Sequence, residues 1–160
     1  MNEELIKRWN AKVKPTDEVY HLGDFFFMGV TEAREVLDRL NGRIYLILGN
    51  HDQVIKKNKL LQDRFEWIKE YYELNIPDVD ATRENQKLVL CHFPMISWNK
   101  MGHGSFMIHG HCHGNLKYPF TGRILDAGVD VHKYEPITYD YIKKHMKDIT
   151  PEFLDHHTDD

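Results

Sequence analysis

Apolar residues recur along the chain in two periods, and the changes between them divide it into elements. From residue 2 to residue 13, Leu5, Ile6, Trp9 and Val13 share one helical face; Asn2 can cap the helix, and Glu3 and Glu4 suit its positive N-terminal end. Pro15 stops this helix. "DEVYHLGD" then reads as a short strand ending at Gly23 and Asp24. Thr31 opens a second helix with Ala33, Val36, Leu37 and Leu40 at core spacing, closed by Asn41 and Gly42. "RIYLILGNHD" is a buried strand rich in branched aliphatics. Residues 60 to 72 read as another helix through Leu61, Phe65, Ile68 and Tyr72. "KLVLCHFP" and "SFMIHGH" follow as strands, then a loop with Gly122, "ILDAGVDVH" as a late strand, and "TYDYIKKHMK" as the last helix.

This alternation predicts one α/β domain over residues 1–150, followed by a mobile tail over 151–160. Four of the strands end in polar signatures: "GD", "GNHD", "CHFP" and "HGHCHG". Strand ends and the loops after them are where α/β proteins build sites, because the sheet fixes the side chains that the loops present.

Composition narrows the setting. The chain has 160 residues, 29% of them charged, and a formal net charge of −4, so strong nucleic-acid binding through bulk electrostatics is not expected. Bound cations would reverse the sign locally and admit an anionic substrate. Cys91 and Cys112 are the two cysteines, too few for a disulfide framework. "MNEELIKRWN" lacks the apolar core of a signal peptide, and no apolar run reaches membrane-spanning length. The expectation is a cytoplasmic protein with no membrane partner.

Asp24, Asn50, His92, His111 and His113 form the candidate metal set. A carboxylate can bridge cations, an amide oxygen is a hard neutral ligand, and imidazoles suit zinc, iron and manganese. Mixed nitrogen and oxygen donors without runs of thiolates favour a catalytic ion over a closed structural zinc. Cys112 lies between two of the histidines but faces away if the segment is extended, so it reads as a small core residue. His21 reads as a local packing or capping residue and His109 as a candidate second-layer partner of the ligands, while His156 and His157 read as solvated. Phe25, Phe26 and Phe27 read as core or pocket wall.

"GD" at 23–24, "GNHD" at 49–52, "CHFP" around His92 and "GHCH" at 110–113 occur in the order of the calcineurin-like metallophosphoesterase superfamily. "HGHCHGNLK" and "DAGVDVHKYEPIT" also resemble the closing portion of its small bacterial and phage-type members. The resemblance implies a two-sheet β-sandwich core with flanking helices. It implies that Asp24 bridges two metals, that Asn50, His92 and His111 complete the second site, and that His113 serves the first. Hydroxide generated at the metals would hydrolyse a phosphomonoester or phosphodiester. His51 would protonate the leaving oxygen, Asn50 and His51 would contact the phosphoryl group, and Asp52 would orient His51. The ions would be divalent, with manganese first and iron, zinc or nickel as alternatives.

Two departures from the family pattern shape the expectation. Its members open with a strand ending in Asp-x-His, and no such motif precedes Asp24. The chain therefore reads as lacking the first strand, which leaves Asp24 and His113 for the first metal and an exposed sheet edge for pairing with a second copy. After "GD" the sequence runs "FFFMG", where protein Ser/Thr phosphatases continue with an Asp-Arg pair; this argues against phosphoprotein phosphatase activity and leaves a small phosphoesterase. The competing reading is a single-metal-binding remnant or partner-binding protein of the same fold, with hydrolysis lost.

Overall fold

The computed structural model describes residues 2–25, 29–81, 84–119 and 121–152. Phe26 and Phe27, His156 and His157, the tail from residue 153 and the capping side chain of Asn2 lie outside the described residues. Helices α1 (Asn2–Lys12) and α2 (Val30–Arg39) alternate with strands β1 (Glu18–His21) and β2 (Arg43–Ile47). Two four-residue helices, α3 (Gln53–Lys56) and α4 (Lys59–Gln62), precede β3 (Trp67–Lys69), β4 (Tyr71–Pro77) and β5 (Asn85–Cys91). Strands β6 (Phe106–His109) and β7 (Ile124–Asp126) and helix α5 (Tyr139–Met146) complete the order. The strands form two sheets, β1-β2-β3, all parallel, and β4-β5-β6-β7, in which only β4 runs antiparallel to its neighbour.

Side-chain alternation along the strands sorts the core into layers. Ile44 and Leu46 of β2 turn toward Trp9, Ala33, Leu37, Ile55 and Leu61 of the helices. Ile47 turns the other way and joins Leu88, Leu90, Phe106 and Ile108 between the sheets, where α5 adds Ile142 and Met146. Val89 and Met107, on the opposite face of β5 and β6, pack against Trp98 and Met101. The two-sheet α/β architecture expected from the sequence is thus the one observed.

Two boundaries differ. Residues 60–72 are not one helix: α4 ends at Gln62, and Trp67–Lys69 pairs in parallel with Tyr45–Ile47. The apolar positions at 61, 65, 68 and 72 are buried on different elements, with Leu61 and Phe65 against the helices and Tyr72 between the sheets. The strand β4 that follows was hidden in that apparent helical period. The late strand also stops early, at Asp126, because the Asp126 carboxylate accepts the Gly128 N–H at 2.9 Å and turns the chain into a 3-10 turn over Val129–His132. The Glu152 N–H donates to the Thr121 carbonyl at 2.7 Å.

Candidate metal centre

Four loops leave the C-terminal ends of β1, β2, β5 and β6, and they meet where the two sheets adjoin. The first sheet contributes Asp24 and Asn50, and the second contributes His92 and His111. A hydrogen bond across the junction fixes the relation: His92 Nδ1–H donates to the Leu22 carbonyl at 2.6 Å. With its proton on Nδ1, the ring presents the Nε2 lone pair on its other side.

That lone pair faces other electron-rich atoms. Asn50 Oδ1 lies 3.0 Å from His92 Nε2, His111 Nδ1 lies 3.2 Å away, and Asp24 Oδ2 lies 3.4 Å away. One ligand atom from each of Asp24, His92 and His111 falls within 4.8 Å of the others. Amide oxygen and carboxylate oxygen are acceptors only, so this many of them around a deprotonated nitrogen is repulsive without a positive charge among them. A divalent ion about 2.0–2.2 Å from each donor would impose this kind of spacing on its ligands. The residues present fit a cation, and His92, buried to 1% exposure, is the centre of the set.

The backbone around the cluster is specialised. Asp24 and His111 both lie in the left-handed region, at φ +55° and +67°, a conformation that costs a non-glycine residue about 1–3 kcal/mol. Gly23 and Gly49 allow the first two loops to touch. A Cβ on Gly23 would lie 2.5 Å from both Gly49 N and His92 Nδ1, and one on Gly49 would lie 2.2 Å from Asp24 Oδ1. The glycines of "GD" and "GNHD" are therefore required by close approach at the ligands themselves.

The remaining sequence candidates fall into place around this centre. His51 is exposed, and its backbone N–H donates to Asp24 Oδ1 at 2.8 Å. Asp52 is buried, and its two oxygens receive three backbone N–H groups from the two loops. His113 is not part of the cluster of four: its side chain is exposed, and Nδ1 pairs with Asp130 Oδ2 at 2.7 Å. In place of the extended segment that would set His111 and His113 on one side, the chain turns at 111–114, with both histidines in left-handed backbone.

His21 packs as expected, accepting the Gly23 N–H on Nδ1 at 3.2 Å and stacking on Phe25 with ring centroids 4.0 Å apart; burial pushes its pKa down to about 4. His109 is fully buried against the Gly110 carbonyl and the Tyr118 hydroxyl, and burial lowers its pKa. Cys112 stands outside the ligand group, and burial raises its thiol pKa. Sequence reasoning did not find Leu22, which acts through a carbonyl that every residue carries, or Phe93, whose ring meets the edges of both His92 and His111 at centroid distances of 4.9 and 4.7 Å. Asp130 was legible as an acid in "DAGVDVH", although nothing in the sequence pairs it with His113.

With this geometry in hand, the comparison with known families is decisive: the Calcineurin-like phosphoesterase model matches residues 2–158. The chain belongs to the calcineurin-like phosphoesterase family. The uncharacterized protein MJ1445 from Methanocaldococcus jannaschii is 34% identical over 151 residues, which span 90% of this chain and 74% of that protein. The fold is also that of the crystal structure of AQ665, a protein of unknown function from Aquifex aeolicus. That match has a TM-score of 0.65 at 24% identity, covering 90% of this chain and 84% of the other. Among the described residues no helix is long and apolar enough to cross a membrane.

Proposed function

We propose that this calcineurin-like phosphoesterase hydrolyses a small phosphate ester, monoester or diester, with a divalent cation held by Asp24, Asn50, His92 and His111. The observation that carries the reading is the convergence of Asp24, Asn50 and His111 on the buried Nε2 of His92, with the Nδ1 proton of that ring committed to Leu22. When bound, the cation would acidify water to a pKa of about 7 and offset charge on the phosphoryl group. The donor set is mixed nitrogen and oxygen, and manganese is the first ion to test.

The chain's own residues do the rest. Leu22 holds His92 in the tautomer that offers Nε2 outward. Asp24 is shared between the cluster, through Oδ2, and the His51 backbone, through Oδ1, so the His51 residue is fixed beside the ligands. Its exposed imidazole is the group we assign to protonate the leaving oxygen. Phe93 packs edge-on against the rings of both His92 and His111.

A second reading, a metal-binding protein of this fold without turnover, is favoured by one observation. Among the described residues the convergent donors serve a single ion, and His113 is engaged with Asp130 outside that set. Metal analysis of the purified protein, beside assays with bis(p-nitrophenyl) phosphate and p-nitrophenyl phosphate under added manganese, separates the two. We expect bound metal and metal-dependent turnover of at least one ester. Tight metal binding with no turnover of either would support the second reading, and absence of metal binding would overturn both.

A further inference from the structure

Asp52 is 1% exposed, which is an expensive place for a carboxylate unless its oxygens are filled. They are filled by backbone. Oδ2 accepts the Asp24 N–H at 2.9 Å and the Gly49 N–H at 2.8 Å, and Oδ1 accepts the Phe25 N–H at 2.8 Å. Two of these donors belong to the loop after β1, which carries Asp24, and the third to the loop after β2, which carries Asn50. The Asp24 carboxylate answers in the opposite direction, accepting the His51 N–H at 2.8 Å. Each loop thus holds the other through a carboxylate on backbone N–H, and the strained φ of Asp24 sits between the two contacts.

We propose that Asp52 is a positioning residue for the cation: it clasps the two loops so that Asp24 and Asn50 face His92 before any ion arrives. Its place in "GNHD" suggested that it orients the neighbouring His51; the donors its oxygens receive are instead three backbone amides of the two loops. Three charge-assisted hydrogen bonds to one carboxylate offset both its burial and the left-handed turn at Asp24. The proposal rests on the reading of the cluster as a cation site and does not depend on hydrolysis.

Asp52→Asn is the informative change. A carboxamide keeps the shape but offers one acceptor oxygen, so its NH2 must point at one of the three N–H donors. Titration calorimetry with manganese, on the whole chain stripped of metal, should show affinity lower by about 10- to 100-fold for Asp52→Asn than for the unaltered protein. In the metal-free state the amide protons of Asp24, Phe25 and Gly49 should be slow to exchange in the unaltered protein and faster in the variant. A merely structural role would lower the melting temperature and leave the affinity of the folded variant unchanged, and that result would overturn the proposal. Should Asp52→Asn fail to fold, exchange in the unaltered protein decides: protection of all three amides supports the clasp, and solvent-like exchange at any of them overturns it. If the unaltered protein binds no manganese, zinc or iron, the cation-site reading itself fails, and the clasp with it.

Discussion

Two polar clusters cap opposite ends of β5, and they differ in the sign of what surrounds them. Before the strand, Asp78 receives Lys143 Nζ at 2.8 Å, the Tyr139 hydroxyl at 2.5 Å and the Asp80 N–H at 3.0 Å. Those contacts, Lys143 foremost, hold its pKa down at about 2. Every oxygen there meets a donor, and the cluster fastens α5 to the β4–β5 turn. After the strand, His92 meets oxygens and another ring nitrogen. Both ends are buried and both are polar. A carboxylate surrounded by protons is a finished joint, whereas acceptor oxygens gathered around an imidazole nitrogen are completed by a positive charge, which a bound cation supplies. Burial alone would not have told the two apart.

The sharpest way to break the unfinished end is Gly49→Ala. The added methyl would lie 2.2 Å from Asp24 Oδ1 and 2.4 Å from Asp24 N, so the loop carrying the ligand must move. Overpacking of this kind costs about 1–3 kcal/mol, and manganese affinity should fall with it by more than about 100-fold, read by calorimetry and thermal melting. Next come the ligands. His92→Ala and Asn50→Ala should each lose metal while leaving a folded protein, whereas His51→Ala should keep metal and lose turnover. Equal metal loss in all three would show that the roles have been divided wrongly.

The finished end should respond in the opposite sense. Asp78→Asn removes the charge that Lys143 pairs with, and it should lower the melting temperature by a few degrees without changing metal affinity. A change in affinity would mean that the two ends of β5 are coupled. The smallest effect is in acid. Asp78 is held near 2 against an ordinary value of 3.8, and Glu73, bonded first by Lys87 and then by Tyr71 and Asn99, is held near 2 against 4.5. A depressed carboxylate pKa stabilises the fold above its ordinary value, and that contribution is lost as pH falls from about 4.5 through about 2. Melting temperature followed over that window should drop less steeply in Asp78→Asn.

What could be read from the sequence follows physical lines. The strands that end in ligands were legible because each couples a branched apolar run to a polar turn, and the four motifs carry the family order. Asp24, Asn50, His92, His111 and His113 were all expected to converge from strand ends; the first four lie together, while His113 is engaged with Asp130. The helix expected over 60–72 failed because apolar spacing of three and four also arises when a short helix, a turn and two strands bury residues on different layers. The left-handed turns at His111 and His113 were equally hidden, since histidine, though enriched at positive φ, adopts it in only a minority of its places and the tertiary setting selects which. The donors gathered on Asp52 are backbone N–H groups, which no residue pattern announces.

The bond from His92 to the Leu22 carbonyl joins residues 70 apart in the chain and crosses from one sheet to the other. It has a consequence in time as well as in space. Neither half of the ligand set exists as a partial site on one local hairpin, so no early, local folding event can assemble it. A chain still emerging, with the first sheet formed and β5 and β6 unmade, would offer Asp24 and Asn50 but neither His92 nor His111 to complete the set. Capture of the ion would then be the last event of maturation, and a colour-changing metal indicator mixed with refolding protein would record the moment at which the two sheets close on each other.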